Sequence, residues 1–340
     1  MSSSGKPILK AIFAGVLYYS GLLYLRTLLR RMVLGKEESC VLGLHRVLSA
    51  SDKGQENSQA AIVLKEETFV RLLEFLRRKF KLVTLRDFLE GQTDVGSPPY
   101  IRCLLTFDDG WRDNYTTAYP WLKKYKIPAV IFLPTGLIGS NVPFWVEQVC
   151  KAWRDPDRRG LIATAGNDGD TQDEKVSLDA RIEHLKRMPA SRRAELLHPI
   201  LAMKEPDLFE GDKLMNWVEV GEMVRGDICF GSHTVNHPLL TFEEDHDAAY
   251  EISASKEFLE SKLGTSVTAF AYPNGDWNEK VRAMVERAGY TCAFTTEPGW
   301  HCQGDDAFTI RRVLIHEGNC TGIRGTFSPA VFSLTLARGY

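Results

Sequence analysis

The sequence lacks any paired-cysteine pattern: its seven cysteines (Cys40, Cys103, Cys150, Cys229, Cys292, Cys302, Cys320) are scattered, odd in number and without a CxxC spacing. That argues against a zinc-thiolate site and a disulfide scaffold, and an unpatterned odd set favours a reducing compartment. An excess of either charge sign is also missing. Lys plus Arg is 42 and Asp plus Glu is 44, so the net charge is −2, which speaks against a protein that coats phosphate backbones, and no nucleic-acid partner is expected. Internal repeats and low-complexity tracts are absent, and 44% hydrophobic with 25% charged residues leaves no case for disorder. At 340 residues the chain fits two domains or one enlarged αβ barrel, at roughly 150 residues per domain. Area scaling leaves about 14,000 Å² exposed of about 55,000 Å², so a large core needs no cross-links.

A long uncharged run is missing too, but a short one stands near the start. Ala11 to Leu25 is 15 residues without a charge, about 22 Å as a helix against a hydrocarbon core of roughly 30 Å. Lys10 and Arg26 can snorkel from its ends, and Tyr18, Tyr19 and Tyr24 suit an interface. The stretch Ile8 to Leu34 therefore reads as a membrane-facing helix that either lies in the surface or spans. A signal peptide or soluble helix is the remaining reading, and no A-x-A cleavage site follows the run. The more basic flank, Arg26, Arg30, Arg31 and Lys36, points to the cytoplasmic face, with a periplasmic or extracellular site as the alternative.

From Cys40 onwards apolar runs alternate with helical periods. Strands are expected at Cys40–Leu48, Lys81–Thr84, 101–107, Ala129–Leu133, 226–231, 267–272 and 291–295. Helices are expected at Glu67–Lys79, Leu85–Glu90, Trp111–Tyr125, 243–263 and 278–288, the fourth closed by Gly264 as a C-cap. Such alternation predicts a parallel sheet or barrel with working loops at the strand C-terminal ends. Between Phe144 and Val218 the pattern turns charged and helical, with an acidic loop at 166–174, and reads as an insertion. The expected organisation is an N-terminal helix over 1–36, a barrel over 37–322 with the insertion at about 144–218, and a C-terminal tail over 323–340.

Two clusters carry chemistry. Asp108 and Asp109 leave a buried strand just before Gly110, where an N-cap is the structural alternative to a pair of reacting carboxylates. His233 and His237, four apart and also directly after a strand, can share one metal or be unrelated loop histidines. In a repeating βα fold both clusters converge on one face, and an Asp with two His leaves metal positions open, as catalytic zinc requires.

These residues resemble the polysaccharide deacetylases of the NodB-homology type, carbohydrate esterase family 4. The resemblance runs from about Cys40 to Cys320, most strongly at Thr106-Phe107-Asp108-Asp109-Gly110 with Trp111-Arg112-Asp113-Asn114, and again at His233 to His237. It implies a distorted (β/α) barrel, a divalent metal such as Zn²⁺, and hydrolysis of an N-acyl group, most commonly N-acetyl, on a glycan or lipid-linked sugar. It also assigns roles: Asp108 the base, and Asp109, His233 and His237 the ligands. His316, in a Leu-x-His-like element, is the candidate acid, with an ordinary strand-end residue as the alternative. The Tyr272-Pro273-Asn274 loop stands where the family places an Arg-containing loop, without the Arg, and Asn274 is still able to offer a backbone N–H to the oxyanion. Tyr272 and Trp111 are candidate substrate contacts, Trp111 and Trp145 sugar platforms with a packing role as the favoured alternative for either, and His45 a residue that lines the site or makes a structural hydrogen bond. Asp276-Trp277 reads as a helix cap and a packing aromatic. A deformylase of a lipid-linked formamido sugar uses the same machinery, and a catalytically weak glycan-binding or scaffold relative is the alternative from another class.

Overall fold

The structure, a computed structural model, describes residues 5–34, 38–52, 58–91, 101–140, 144–166, 176–203, 213–226, 228–302 and 304–338. Two helices, α1 (Gly5–Tyr19) and α2 (Leu22–Leu34), precede strands β1 (Glu38–Leu44), β2 (Arg46–Leu48) and β3 (Val63–Lys65). Next come α3 (Glu66–Lys79), β4 (Phe80–Leu82), α4 (Leu85–Glu90), β5 (Ile101–Phe107), α5 (Tyr119–Tyr125) and β6 (Ala129–Leu133). Helices α6 (Trp145–Arg154), α7 (Pro156–Thr164), α8 (Leu178–Lys186), α9 (Ala190–Leu201) and α10 (Trp217–Val224) interrupt the alternation. It resumes with β7 (Ile228–Ser232), α11 (Asp245–Leu263), β8 (Ala269–Ala271), α12 (Glu279–Arg287) and β9 (Cys292–Phe294), then β10 (His301–Cys302), β11 (Val313–Leu314), α13 (Glu317–Cys320) and α14 (Pro329–Arg338). The acidic loop expected at 166–174 lies, beyond Gly166, outside the described residues.

The main sheet runs β10-β1-β5-β6-β7-β8-β9, with β4 on β5 and β11 on β1, and every pairing is parallel except β1 with β10. Strands β1 and β6 are buried along their whole length, and from Cys40 in β1 and throughout β6 the residues form continuous apolar runs instead of alternating. Phe294 bridges Ile310, and three residues further on β11 begins to pair with β1. Residues 310–314 therefore curl the sheet back toward its first strand. Helix α3 covers the sheet with Phe69, Leu72, Leu73 and Leu76, and its acidic first turn and basic last turn suit the helix dipole. Gly264 ends α11 at φ 66, as its composition predicts.

Three local expectations change. The run Cys40–Leu48 is two strands, because His45 leaves the ladder and β2 pairs with β3 instead. Over Trp111–Tyr125 the helix begins with a wider π turn at Asn114–Ala118. The cap of α12 is Asn278, whose side chain accepts from the Val281 N–H at 2.9 Å; Asp276 stands two residues before it.

The N-terminal apolar segment is bent, not straight. Helices α1 and α2 meet at 66° across Ser20-Gly21, where Gly21 takes φ +79, and no single helix among the described residues is long and apolar enough to cross a membrane. Ala14 and Leu23 pack against Ala330, Val331, Leu334 and Ala337 of α14, so the stretch expected as a tail contains a helix that supports the N-terminal pair. The opposite face stays open. Among the described residues, eleven of the twenty exposed large apolar side chains lie between Ile8 and Leu29.

Candidate active site

Asp108 and Asp109 follow β5 directly, and Asp108 N–H donates to the Leu44 carbonyl at 2.9 Å, continuing the ladder for one more residue. Asp109 and Gly110 then turn through φ 71 and 66. Glycine suits position 110 because its φ of 66 strains any L side chain, and a Cβ there would also crowd Leu133 Cδ2 at 2.6 Å. The other half of the site follows β7. Thr234 and His237 also take positive φ (69 and 58), costly for a β-branched residue, and the loop is held against that cost. Glu251 of α11 accepts from Val235 N–H, Asn236 N–H and Asn236 Nδ2, each at 2.8 Å, while His237 N–H donates to Thr234 Oγ1 at 2.9 Å.

These two turns bring Asp109, His233 and His237 together, with one ligand atom of each within 4.8 Å of the others. Asp109 Oδ1 lies 3.6 Å from His233 Nε2 and 3.3 Å from His237 Nε2, and the two Nε2 atoms are 3.1 Å apart. A tetrahedral ion with ligand bonds of about 2.0–2.1 Å has edges of about 3.3 Å, so the spacing fits one metal. The chemistry of the donors fits as well. Asp109 Oδ1 is buried with no hydrogen-bond partner, an expensive arrangement that a cation relieves. His233 Nδ1 lies 2.6 Å from the Ala271 carbonyl, which places the ring proton there and leaves the Nε2 lone pair for the ion. Burial holds both imidazoles below their ordinary pKa, His237 at about 3, with the neighbouring His233 charge adding to burial there and Lys186 pushing the same way. Both rings are thus neutral, as metal ligands must be.

Asp108 is buried beside this triad and clamped by Arg312. The guanidinium donates from Nη1 to Oδ1 at 2.7 Å and from Nη2 to Oδ2 at 2.8 Å, and it also bonds the Thr295 carbonyl at 2.8 Å and Thr106 Oγ1 at 3.2 Å. Burial pushes the Asp108 carboxyl up, but Arg312, His233 and His45 outweigh it, and the net shift is far below the usual carboxylate range. The arginine expected but missing near Asn274 is therefore supplied by residue 312, from the segment that curls the sheet closed. The sequence signal was an Arg-Arg pair directly before the apolar Val313-Leu314-Ile315 run.

His45 joins the same cluster, its Nε2 being 3.8 Å from Asp108 Oδ2. The motif residues after Gly110 hold it there: Asn114 Nδ2 donates to the His45 carbonyl at 2.7 Å, while Asp113 accepts from Val47 N–H and Arg46 Nε at 2.8 and 3.0 Å. Trp111 is placed differently from the sugar contact expected of it. It is fully buried, Arg46 lies over its ring at 4.2 Å from the centroid, and Nε1 donates to Asp109 Oδ2 at 3.1 Å. No ring face is left for a sugar, and Trp111 instead fixes the Asp109 carboxylate. Tyr272 is also enclosed, its hydroxyl donating to the Phe308 carbonyl at 3.0 Å, so its side chain presents nothing to a substrate. The Trp145 ring carries the Arg193 guanidinium at 4.5 Å from its centroid. Trp277 packs against the core and donates to Glu297 at 3.1 Å.

His316 caps α13, with Nδ1 accepting from Gly318 N–H at 3.3 Å. Burial, followed by the charges of Lys10 and His45, lowers its pKa. Asn274 follows β8 at φ 57, with Thr296 Oγ1 donating to its carbonyl at 2.8 Å.

A family model described as polysaccharide deacetylase matches residues 96–293, more than half of the chain; the match includes Asp108, Asp109, His233 and His237 and ends before Arg312 and His316. Over 221 residues the chain is 25% identical to Bacillus subtilis YxkH, described as a polysaccharide deacetylase, covering 65% of this chain and 54% of that protein. Over 61 residues it is 43% identical to the poly-beta-1,6-N-acetyl-D-glucosamine N-deacetylase of Staphylococcus aureus, 18% of this chain and 21% of that one. The chain thus spans about half or less of the lengths of these relatives. Among solved structures, the Streptococcus pyogenes deacetylase PplD in complex with acetate superposes with a TM-score of 0.57 at 19% identity, covering 86% of this chain and all of that one. IcaB from Ammonifex degensii gives a TM-score of 0.56 at 20% identity, with 89% and 97% covered, and at these identities both likenesses concern the fold. With the family match spanning the carboxylate pair and both histidines, the chain belongs to the polysaccharide deacetylase family.

Proposed function

We propose that the chain is a metal-dependent hydrolase that removes an N-acyl group, N-acetyl above all, from a membrane-proximal glycan or lipid-linked sugar. The observation that carries this reading is the buried Asp109–His233–His237 triad standing beside a carboxylate that Arg312 keeps ionised. Those three residues would hold the ion, for which the nitrogen and carboxylate donors suit Zn²⁺, and a bound Zn²⁺ supplies Lewis-acid polarisation of the acyl carbonyl and of a water. Asp108 takes the proton of the attacking water, and Arg312 fixes its orientation through two parallel bonds. The Asn274 loop offers a backbone N–H to the developing oxyanion. His316 returns a proton to the departing amine, a poor leaving group until protonated. The reading of a catalytically weak glycan-binding or scaffold relative rests on an absent arginine and on the identity of the acid, and the Arg312 clamp on Asp108 answers the first of these.

The test is acyl release from N-acetylated glucosamine oligomers and from a lipid-linked N-acetyl sugar. Chelation is expected to abolish release and added Zn²⁺ to restore it, whereas His237→Ala stays inactive at the same Zn²⁺ concentration. Release that persists in fully chelated protein would overturn the metal-dependent reading.

The membrane part of the proposal rests on the open face of α1 and α2, where Ile8, Leu9, Ile12, Phe13, Val16, Leu25 and Leu29 are exposed. The 66° bend favours a pair lying in the interface over a straight span. The basic residues of α2 favour the cytoplasmic leaflet. Each buried apolar side chain contributes about 1.5–3 kcal/mol, so Phe13→Asp, Val16→Asp and Leu25→Asp together are expected to move the protein from the vesicle pellet to the supernatant. These positions lie away from the α14 contact. A triple variant that sediments with phosphatidylglycerol vesicles like the parent would count against the anchor.

A further inference from the structure

The helical insertion reaches the site through Lys186, the last residue of α8. Its ammonium donates to Glu183 Oε1 at 2.7 Å and, across 88 residues of sequence, to Asn274 Oδ1 at 3.1 Å. The side chain is only 14% exposed. We propose that Lys186 is a positioning residue for the deacylation, holding the Asn274 loop in register with the metal ligands. The proposal rests on the hydrolase reading above.

The loop needs holding. Asn274 takes φ 57, a left-handed conformation that asparagine enters more readily than most residues but that still persists where its surroundings hold it. The barrel supplies one restraint, the Thr296 bond to the Asn274 carbonyl, and it supports the next residue closely: a Cβ on Gly275 would stand 2.2 Å from Thr296 N. The second restraint, on the side chain, comes from the insertion. Loop and metal site are also joined at the base, because the Ala271 carbonyl that fixes the His233 ring belongs to β8, three residues before Asn274. Displacing Asn274 therefore moves an oxyanion donor relative to the ion, a misplacement to which rate is far more sensitive than binding. Helix α8 does not depend on this contact for its own place, since Ile182 and Leu185 are fully buried.

Lys186→Met is expected to lower kcat about tenfold on an N-acetylated glucosamine oligomer at saturating Zn²⁺ while KM stays within about twofold. Lys186→Arg, which keeps a charged donor, is expected to recover most of the loss, and Glu183→Gln to lose less than Lys186→Met. A kcat for Lys186→Met within twofold of the parent, or an arginine variant no better than methionine, would overturn the proposal. Hydrogen exchange at amides 273–276 gives a readout without turnover. It quickens in Lys186→Met and is restored in Lys186→Arg if the lysine holds the loop, and unchanged exchange refutes that. A parent protein that releases no acyl group would sink the hydrolase reading, and the exchange result would still decide the loop's restraint.

Discussion

Asp108→Asn is expected to lower acyl release about 10³–10⁴-fold while the protein keeps its divalent metal. The substitution preserves shape and leaves Asp109, His233 and His237 untouched, so metal content separates loss of the base from loss of the site. Its damage to proton transfer is complete, because an amide cannot accept the proton of the attacking water. Its damage to structure is partial: one Arg312–Oδ bond survives, and the other becomes a donor facing a donor. Thermal unfolding of the variant shows whether the fold tolerates this. An asparagine variant that retains acyl release within tenfold of the parent, with metal bound, would remove Asp108 from the base role.

Arg312→Met is expected to be at least as severe for stability. Arg312 is fully enclosed and makes four hydrogen bonds, two of them to Asp108. Removing it leaves a buried carboxylate without its partner, a loss of about 3–5 kcal/mol. The pH dependence has a definite sign. Asp108 has its carboxyl held below the ordinary value in the parent, so the clamp's stabilisation is present above about pH 4, the unfolded carboxylate range, and fades as pH falls further. In metal-free protein the gap between parent and Arg312→Met is therefore largest near neutrality and narrows under acid. A gap independent of pH would show that the arginine acts through packing alone. Lysine should not rescue the variant, since one ammonium cannot reproduce two parallel bonds plus contacts to Thr295 and Thr106.

Sequence and structure agree most closely where information is local. The continuous runs 101–107 and Ala129–Leu133 announce buried parallel strands, and Gly264 announces a helix end, because each depends only on neighbouring residues. The carboxylate and histidine motifs were legible as clusters since each lies within a few residues directly after a strand. Arg312 was not, because its partner is 204 residues away and the two meet only when residues 310–314 curl back to β1. Trp111 was ambiguous for a different reason: an aromatic after a motif glycine can be a sugar platform, although core packing is the commoner role, and burial decides for packing. Glu251, the support of the histidine loop, sits on a helix whose charged pattern reads as an ordinary solvated face.

The contact of α1 with α14 has a consequence for how the protein is made. Lys10 donates to the Gly318 carbonyl across 308 positions, and the whole barrel is encoded between α1 and its supporting helix. At 5–20 residues per second a ribosome needs about 15–60 s to cover that interval. For most of it, once α1 has cleared the exit tunnel, its apolar stripe is exposed while α14 does not yet exist. On the proposed reading of α1 and α2 as an interfacial pair, a lipid surface near the ribosome, or a chaperone, occupies the stripe during that wait, and targeting then precedes folding of the domain.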